Sequence, residues 1–509
     1  MPNFKEMPMD PRQLMMFPSS VNESIPADAE VRILSEAMEN LDWRELQSSY
    51  SSRSIGTPYP PKVLTRILVY GLSRGIRSSR VLEDMVRNHK HYIFLSGGLT
   101  PDHSTISRFR KENEAWLRSA FGGTVRICAE AGHVLLKVAA TDGSKIQARA
   151  SKKSLYGQKR LEREMAAIDQ ILAEAEETDR REDEVYGSAS GNAVPRELAD
   201  AKKRKEKLEE IARRLKESGR KSVSATEEEC RVMKTTNGLR PAYNSQITVD
   251  SAEGVILAAD VINAETDHGQ LEGQLKQVEE NTGLKVDVSL SDTGYCDEET
   301  LKFLAESGQE ALIPVKEQPQ DSKRKDAFAS KCFTRETSRD VLICPAGREL
   351  TFRRIVKYSS GHYRIYTASD CRSCSFYNEC VSDKQKTSRS VRVSVVADAK
   401  QAMKEKLKTP EGKELYALRR QTVERVFANI KSNKGLNRFS LSGMTGAKSE
   451  FWLACMTHNL MILVRKAAAA RLLASFAANI VGWTTCWAAI RLMDPYRNPF
   501  RPGPCLSVA

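Results

Sequence analysis

The chain has 509 residues, too many for one ordinary hydrophobic core, so we expect two or three domains with insertions. Its formal charge of +13 and pI near 9.1 favour a polyanionic partner, with nucleic acid ahead of an anionic membrane surface. The N-terminal segment MPNFKEMPMDPRQLMMFPSS has proline and charge where a secretory signal needs an apolar core, so we predict a cytoplasmic protein. The eleven cysteines are mostly scattered, which favours free or metal-bound thiols over disulfides.

Residues 1–130 are assigned to an N-terminal, all-helical DNA-binding domain. The segment STISRFRKENEAWLRSAF follows the turn SGGLTPDH, and Ser104 is the candidate cap of its helix. The positions predicted to face inward are Ile106, Phe109, Asn113 and Trp116. The basic residues predicted on the opposite face are Arg108, Arg110 and Lys111. This pattern fits a helix-turn-helix laid against DNA, and a helical bundle with a solvated basic face is the alternative.

Residues 131–465 are predicted to form an α/β domain built on a mixed sheet. Its strands are indicated by β-branched runs bounded by Gly, Asp and Asn. In chain order these runs are HVLLKVAATDGSKI, AYNSQITVD, GVILAADVIN, KVDVSLSDTGY and ALIPVK.

Two insertions interrupt this domain. Residues 151–235 contain two amphipathic helical stretches joined by the turn SASGNAVP, which predicts an antiparallel helical hairpin. Its apolar positions are Leu161, Met165, Ile168, Leu172, Leu208, Ile211 and Leu215. The charged residues between them predict a solvated face, with a basic arm lying on phosphates as the alternative. Residues 318–400 form a second, polar insertion that contains a group of cysteines.

Residues 466–509 form an apolar C-terminal tail. Within it, Leu472 to Ile490 lacks charge and has roughly the length that spans a bilayer. The segment is rich in Ala and carries Asn479 and Gly482, which favours a soluble helix or tail over a membrane segment.

Two acidic residues follow predicted strands. Asp142 follows VLLKVAA and precedes Gly143, whereas Asp292 follows VDVSLS and lies two residues before Gly294. Acids at strand ends are also common turn residues, so neither position alone indicates a catalytic site.

A third acid, Glu424, lies in the predicted helix GKELYALRRQTVERVFANIKSNKG, which Gly435 closes. The polar residues within about 80° of one another on an α-helix are Tyr416, Arg420, Glu424 and Lys431. The neighbouring apolar stripe, predicted to press on the sheet, is Val423, Val426 and Ile430. This arrangement would aim Glu424 at the two strand ends. A surface helix with a Glu–Arg pair at spacing four is the alternative.

Three carboxylates in one place predict divalent cations. They would repel one another by on the order of 4 kcal/mol per pair at about 4 Å and an effective dielectric near 20. A pair of Mg²⁺ or Mn²⁺ ions relieves this repulsion and suits oxygen ligands. Such a pair also stabilises the attacking and leaving oxygens of a displacement at phosphorus.

Over roughly residues 60–465 the chain resembles bacterial insertion-sequence transposases of the DDE class. The resemblance rests on the order of elements, the two Asp contexts and the family signature Tyr-x2-Arg-x3-Glu-x6-Lys. Arg420, Glu424 and Lys431 match that spacing. Three residues separate Tyr416 from Arg420 where the signature has two, so a role shared with Arg419 is the alternative.

The resemblance implies an RNase H-like catalytic domain with Asp142, Asp292 and Glu424 as metal ligands. It further implies cleavage of insertion-sequence ends and strand transfer into target DNA by a synaptic homodimer. Arg420 and Lys431 would contact phosphates beside the scissile bond, and Asn263 and Asp267 are further candidates to line the site. The alternatives are an inactive or domesticated transposase that only binds DNA, and an RNase H-like nuclease that cuts without joining.

The cysteines of the second insertion are spaced C-x26-C-x2-C-x5-C, at Cys344, Cys371, Cys374 and Cys380. Four thiolates complete the tetrahedral shell of a structural zinc site, whereas unrelated free thiols are the alternative. His362 and Cys332 are further candidate ligands.

Overall fold

The computed structural model describes residues 20–51, 58–186, 196–315, 328–336, 338–358, 361–381 and 387–492. The first 19 residues and the predicted turn SASGNAVP lie outside the described residues, as do the side chains beyond residue 470. Within the described part of the chain, no helix combines the length and hydropathy needed to cross a membrane.

Helices precede the first strand, as the sequence predicted. They are α1 Glu30–Glu39, α2 Arg44–Ser51, α3 Pro61–Ser73, α4 Ser79–Asn88, α5 Lys90–Ser96, α6 His103–Glu112 and α7 Glu114–Glu130. The prediction that Ser104 caps α6 was wrong. Asp102 is the cap, because its side chain accepts a hydrogen bond from the Thr105 amide at 2.7 Å. Ser104 lies in the first turn and donates its hydroxyl to Asp102.

The chain then forms an α/β structure. The strands are β1 Val138–Gln147, β2 Leu155–Tyr156, β3 Val223–Ser224, β4 Arg231–Thr235, β5 Gly238–Asp250, β6 Ile256–Ile262, β7 Val288–Ser291, β8 Glu310–Leu312, β9 Thr334–Glu336, β10 Val341–Ile343, β11 Glu349–Tyr358, β12 Gly361–Ala368 and β13 Ser390–Ser394. The remaining helices are α8 Gln158–Tyr186, α9 Arg196–Ser218, α10 Gln270–Thr282, α11 Glu298–Ser307, α12 Tyr377–Cys380, α13 Ala397–Lys408, α14 Pro410–Arg419, α15 Arg425–Ala428 and α16 Gly443–Leu492.

The main sheet is mixed, with strand order β4-β5-β1-β7-β8 and β6 also paired with β5. β5 runs antiparallel to β1, β4 and β6, whereas β1, β7 and β8 run parallel. All five strand runs predicted from the sequence contribute to this sheet.

The two faces of β1 carry different partners. Because side chains alternate along a strand, Asp142 and Ser144 project from one face, and Thr141, Gly143 and Lys145 belong to the other. The Thr141 hydroxyl bonds to that of Thr248 at 2.8 Å, and Thr248 donates to Gln274 of α10. α10 therefore covers the Gly143 face, while α14 approaches from the Asp142 face.

One hydrophobic core joins the N-terminal helices to this sheet. It extends from Ile25 through the strands to Val464 in α16, which packs against α1, α3, α7 and β6. The Arg77 guanidinium reinforces the junction, because it forms a 2.7 Å ion pair with the buried Glu450 of α16. It also donates to the carbonyl oxygen of Gly435 at 2.7 Å. The helices are thus fixed against the sheet and the segment that follows Glu424.

The two insertions have their own small cores. α8 and α9 pack together through the predicted apolar positions, all of which are buried or partly buried. In the second insertion, β9 to β13 form an antiparallel sheet in the order β13-β12-β11-β10-β9. Cys371 belongs to its core, and Cys344 and Cys380 pack against that core.

The predicted helix around Glu424 is not uniformly α-helical. Two π-helical segments, Arg420–Glu424 and Asn429–Asn433, flank α15. The predicted apolar stripe is buried, with Val423 and Ile430 fully inaccessible. Gly435 follows the last π-helical segment with φ +67°, as expected for a helix stop.

Candidate active site

The sheet brings Asp142 and Asp292 side by side. The parallel pairing of β1 with β7 ends at Thr141 opposite Ser291. Asp142 is the next residue after Thr141, and Asp292 is the next residue after Ser291. The strand-end prediction is confirmed for Asp292, which directly follows β7. For Asp142 it was wrong, because β1 continues to Gln147 in its pairing with β5.

The Arg419 guanidinium bridges the two carboxylates. Its Nη2 lies 2.9 Å from Oδ2 of Asp142 and 4.0 Å from Oδ2 of Asp292, and the side chain is 14% exposed. Burial raises the pKa of Asp142 to about 6, and the neighbouring negative charge of Asp292 adds to this shift while Arg419 opposes it. The pair thus carries negative charge that a cation must balance.

Tyr416 and Lys431 also turn toward this pair. Tyr416 is half-buried, and burial raises the pKa of its hydroxyl. The positive charge of Arg419 lowers this pKa, whereas the negative charges of Asp292 and Asp142 raise it. The Lys431 ammonium donates to the Ser144 hydroxyl at 2.6 Å, on the strand face from which Asp142 projects. Burial lowers the pKa of Lys431, whereas Asp142 raises it.

Arg420 and Glu424 lie at the outer rim. Arg420 Nε donates to Glu424 Oε2 at 3.3 Å, and their side chains are 82% and 54% exposed. The four polar residues therefore do not share one face. The π-helical segment Arg420–Glu424 explains this, because its i→i+5 bonding changes the angular spacing assumed for an α-helix. Arg419 consequently lies beside the two aspartates, where the regular α-helical spacing had placed Arg420.

Asp267 completes the surroundings of the pair. Its Oδ1 accepts hydrogen bonds from Asn244 Nδ2 and Gln246 Nε2, each at 2.7 Å, and lies 3.2 Å from Lys145 Nζ. Asp267 was predicted from the sequence as a candidate to line the site, but the partners that hold its carboxylate come from other strands and were not foreseeable. Asn263 lies half-buried directly after β6.

Metal ligands are not preassembled. As the side chains lie, the described residues contain no group of three or more His, Cys, Asp or Glu arranged to hold a metal ion. The donor set of Asp142 and Asp292 nevertheless has the right chemistry, because it offers adjacent carboxylate oxygens to a cation.

Four of the five cysteines of the second insertion line one small cavity. It lies between β10, β11 and α12, and its lining includes Cys344, Cys371, Cys374 and Cys380. The backbone amides of Arg348 and Arg389 donate to Cys344 Sγ and Cys371 Sγ, both at 3.3 Å. Burial raises the pKa of Cys371. His362 lies elsewhere, with its ring 3.1 Å from Glu298.

A polar groove of about 600 Å³ separates the N-termini of α4 and α6. Arg80, Arg108 and Lys111 supply its positive charge, and Ser78, Ser79, Ser104 and Ser107 supply hydroxyls. The predicted inward-facing residues of α6 and α7 are buried. Arg110 was wrongly placed on the exposed face, since it is buried and donates to the Arg77 carbonyl oxygen and the Ser79 hydroxyl.

Comparison with known proteins identifies transposase families. Residues 343–464 match the family model Transposase DDE domain, and residues 19–112 match the model Transposase domain (DUF772). A search of curated proteins finds no match. Among solved structures, a cryo-EM structure of piggyBac transposase synaptic complex with hairpin DNA aligns with 92% of this chain and 82% of that one. Its sequence identity is 10% and its TM-score 0.32, values too low to carry an argument.

The two family matches support a transposase of the DDE class. More narrowly, they support an insertion-sequence DDE transposase, as the resemblance implied. The DDE family implies a metal-dependent enzyme that cleaves DNA and transfers strands.

The raised pKa of Asp142 gives a pH test on the metal-free protein. Because that pKa rises from 3.8 to about 6 on folding, the folded state binds the proton more tightly than the unfolded state. Stability contributed by this carboxyl is therefore lost as the pH rises from about 4 to about 6, by on the order of 3 kcal/mol. Urea unfolding in EDTA should show this loss in the wild type relative to Asp142→Asn. Parallel pH dependence in the two proteins would contradict a buried carboxyl with a raised pKa.

Proposed function

We propose that this DNA transposase has an RNase H-like catalytic domain in which Asp142, Asp292 and Glu424 hold two Mg²⁺ or Mn²⁺ ions. The observation that carries the proposal is the adjacency of the two aspartates at the end of the β1–β7 pairing. The order β6-β5-β1-β7-β8, with three antiparallel strands followed by two parallel ones, supports the RNase H-like assignment.

Glu424 would join the pair by turning from Arg420. Support comes from its present position, because the exposed Glu424 side chain is held there by a 3.3 Å hydrogen bond from Arg420 Nε, and exposed ion pairs of this kind contribute little stability. Bound divalent cations would activate the attacking oxygen and stabilise the leaving oxygen of an in-line displacement. The carboxylates would fix the reacting groups by holding those cations.

The cationic side chains would hold the phosphates around the scissile bond. Arg419 and Lys431 flank Asp142, and a polar cleft of about 310 Å³ extends from Lys431 and Lys145 to the β4–β5 turn. The cleft lining contains hydroxyl and amide groups and no carboxylate. We assign Arg419 the principal phosphate contact, with Tyr416 positioning it and Arg420 contributing from the rim.

The groove between α4 and α6 would bind the terminal inverted repeats. Arg108 and Lys111 stand on the exposed side of α6, where a helix-turn-helix presents its DNA-contacting side chains. Buried Arg110 would instead fix α6 against α4. Two copies of the chain would bring two element ends together as a homodimer before strand transfer into target DNA.

Cleavage of labelled inverted-repeat DNA in Mg²⁺ tests the catalytic assignment. Asp142→Asn and Asp292→Asn should reduce cleavage to background and leave DNA binding unchanged. Arg419→Met should lower the single-turnover rate by on the order of 10²- to 10³-fold, as when one preorganised donor to developing charge is lost. Arg420→Met is the matched control and should lose much less.

Four outcomes would contradict the account. Full activity in either aspartate variant would exclude the proposed site, and a larger loss in Arg420→Met would return the main role to Arg420. Cleavage without strand joining would favour a nuclease, whereas binding without any cleavage would favour a DNA-binding protein derived from a transposase.

The groove assignment predicts a loss of DNA affinity without loss of chemistry. Replacing Arg108 and Lys111 together with Ala should weaken duplex binding and lower the slope of log K against log salt by about 1 per lost phosphate contact. Arg118→Ala on α7, an exposed cation outside the groove, is the control. Equal effects of the two changes would remove the groove from the DNA interface.

We also propose that Cys344, Cys371, Cys374 and Cys380 bind one structural zinc ion. Support comes from the shared cavity and from the two amide-to-sulfur hydrogen bonds, which stabilise thiolates. Elemental analysis should find about one zinc per chain, and Cys371→Ser with Cys374→Ser should remove it. A zinc-free protein of unchanged thermal stability would assign these residues as free thiols.

A further inference from the structure

Asp267 lies behind the aspartate pair and not within it. Asp142 projects from the β1 face that α14 approaches, whereas Asp267 contacts side chains of the opposite face. There, Gln246 stands opposite Gly143 and Asn244 opposite Lys145 in the antiparallel pairing, and residues so paired share a face. Its Oδ1 is saturated by the two amides and the Lys145 ammonium.

The space that Asp267 and Gln246 occupy explains Gly143, the glycine that follows Asp142. A Cβ on Gly143 would lie 2.5 Å from Asp267 Oδ1 and 2.3 Å from Gln246 Nε2. A Cβ on Gly294 would lie 2.9 Å from Asp292 Oδ1 and in ordinary van der Waals contact with Asp267 Oδ2, at 3.4 Å. The backbone next to Asp142 thus approaches the Asp267 carboxylate more closely than a larger residue would allow, and the turn after Asp292 packs against the same carboxylate.

A chain of hydrogen bonds extends from Asp267 to the turn after Asp292. Gln246 donates to Asp267 through Nε2 and accepts the hydroxyl of buried Tyr295 through Oε1. Tyr295 is the last residue of the short 3₁₀ turn Thr293–Tyr295, and Asp292 caps the start of that turn. One carboxylate therefore connects β1, β5 and the turn after β7, the segments that orient both acids.

We propose that Asp267 is a positioning residue that fixes the relative orientation of Asp142 and Asp292 for cation binding. This inference rests on the proposed two-metal site. Asp267 acts on Asp142 through Gly143 and on the turn after Asp292 through Gln246 and Tyr295, with Lys145 neutralising its charge. Supporting groups of this kind typically change metal affinity or activity by 10- to 100-fold when removed.

The test measures cation binding and DNA chemistry separately. Titration of the full-length protein with Mn²⁺, followed by electron paramagnetic resonance, should show binding that depends on Asp142 and is weakened about 10- to 100-fold in Asp267→Ala. Asp267→Asn retains the shape and one acceptor oxygen, so it should restore part of that affinity. The single-turnover cleavage rate should fall most in Asp267→Ala and less in Asp267→Asn, while binding of repeat DNA in EDTA stays at the wild-type level in both variants.

Asp260→Asn is the matched control, because Asp260 is an ion-paired acid of the same sheet, 2.9 Å from Lys448. Mn²⁺ affinity in Asp267→Ala within twofold of the wild type would overturn the proposal. Equal losses in Asp260→Asn, or a loss of DNA binding in EDTA by both Asp267 variants, would assign Asp267 to general stability and overturn it as well. If the wild type bound Mn²⁺ through Asp142 but cleaved no DNA, the proposed function would fail while the Mn²⁺ titration would still decide the role of Asp267.

Discussion

Electrostatic repulsion between two neighbouring carboxylates is the constraint on which the rest of the site depends. Parallel pairing of β1 with β7 places Asp142 next to Asp292, and partial burial prevents water from fully screening their charges. A fold that keeps two such acids together must supply positive charge. Arg419 supplies it here, and a divalent cation is the other way to satisfy the same demand.

The surrounding structure serves to hold this unfavourable arrangement in place. α14 brings Tyr416 and Arg419, and the second π-helical segment, Asn429–Asn433, brings Lys431, against the face of β1 that carries Asp142. The opposite face supplies the network around Asp267. The N-terminal helices share the same core, and Arg77 joins them to Gly435 and Glu450, so the groove between α4 and α6 is fixed relative to the main sheet. DNA bound in that groove would therefore meet the aspartates in a defined geometry.

The sequence predicted the five main strands, the buried stripe of Val423, Val426 and Ile430, and the apolar faces of α8 and α9. These succeeded because burial imposes a period on apolar residues. The placing of Arg420 beside the two aspartates rested on a regular α-helical period and on the Arg-x3-Glu-x6-Lys spacing of the family signature. A π-helical segment breaks that period without a distinctive residue pattern, and the displaced position of Tyr416 was its only trace in the sequence. Arg110 was misplaced for a related reason, since a charged residue near the edge of a helix face can turn inward when a carbonyl oxygen and a hydroxyl receive it.

Gly143 illustrates a further limit of sequence patterns. Asp-Gly indicates a turn, but Gly143 lies inside β1 and is required by a side chain that approaches from a distant loop. Such tertiary causes cannot be read from neighbouring residues.

The central claim is tested most directly by a structure of the protein with Mn²⁺ and a terminal-repeat DNA end. The account predicts Mn²⁺ coordinated by oxygens of Asp142, Asp292 and Glu424, with Arg419 moved to a DNA phosphate. Mn²⁺ bound elsewhere, with Arg419 still bridging the two aspartates, would contradict it.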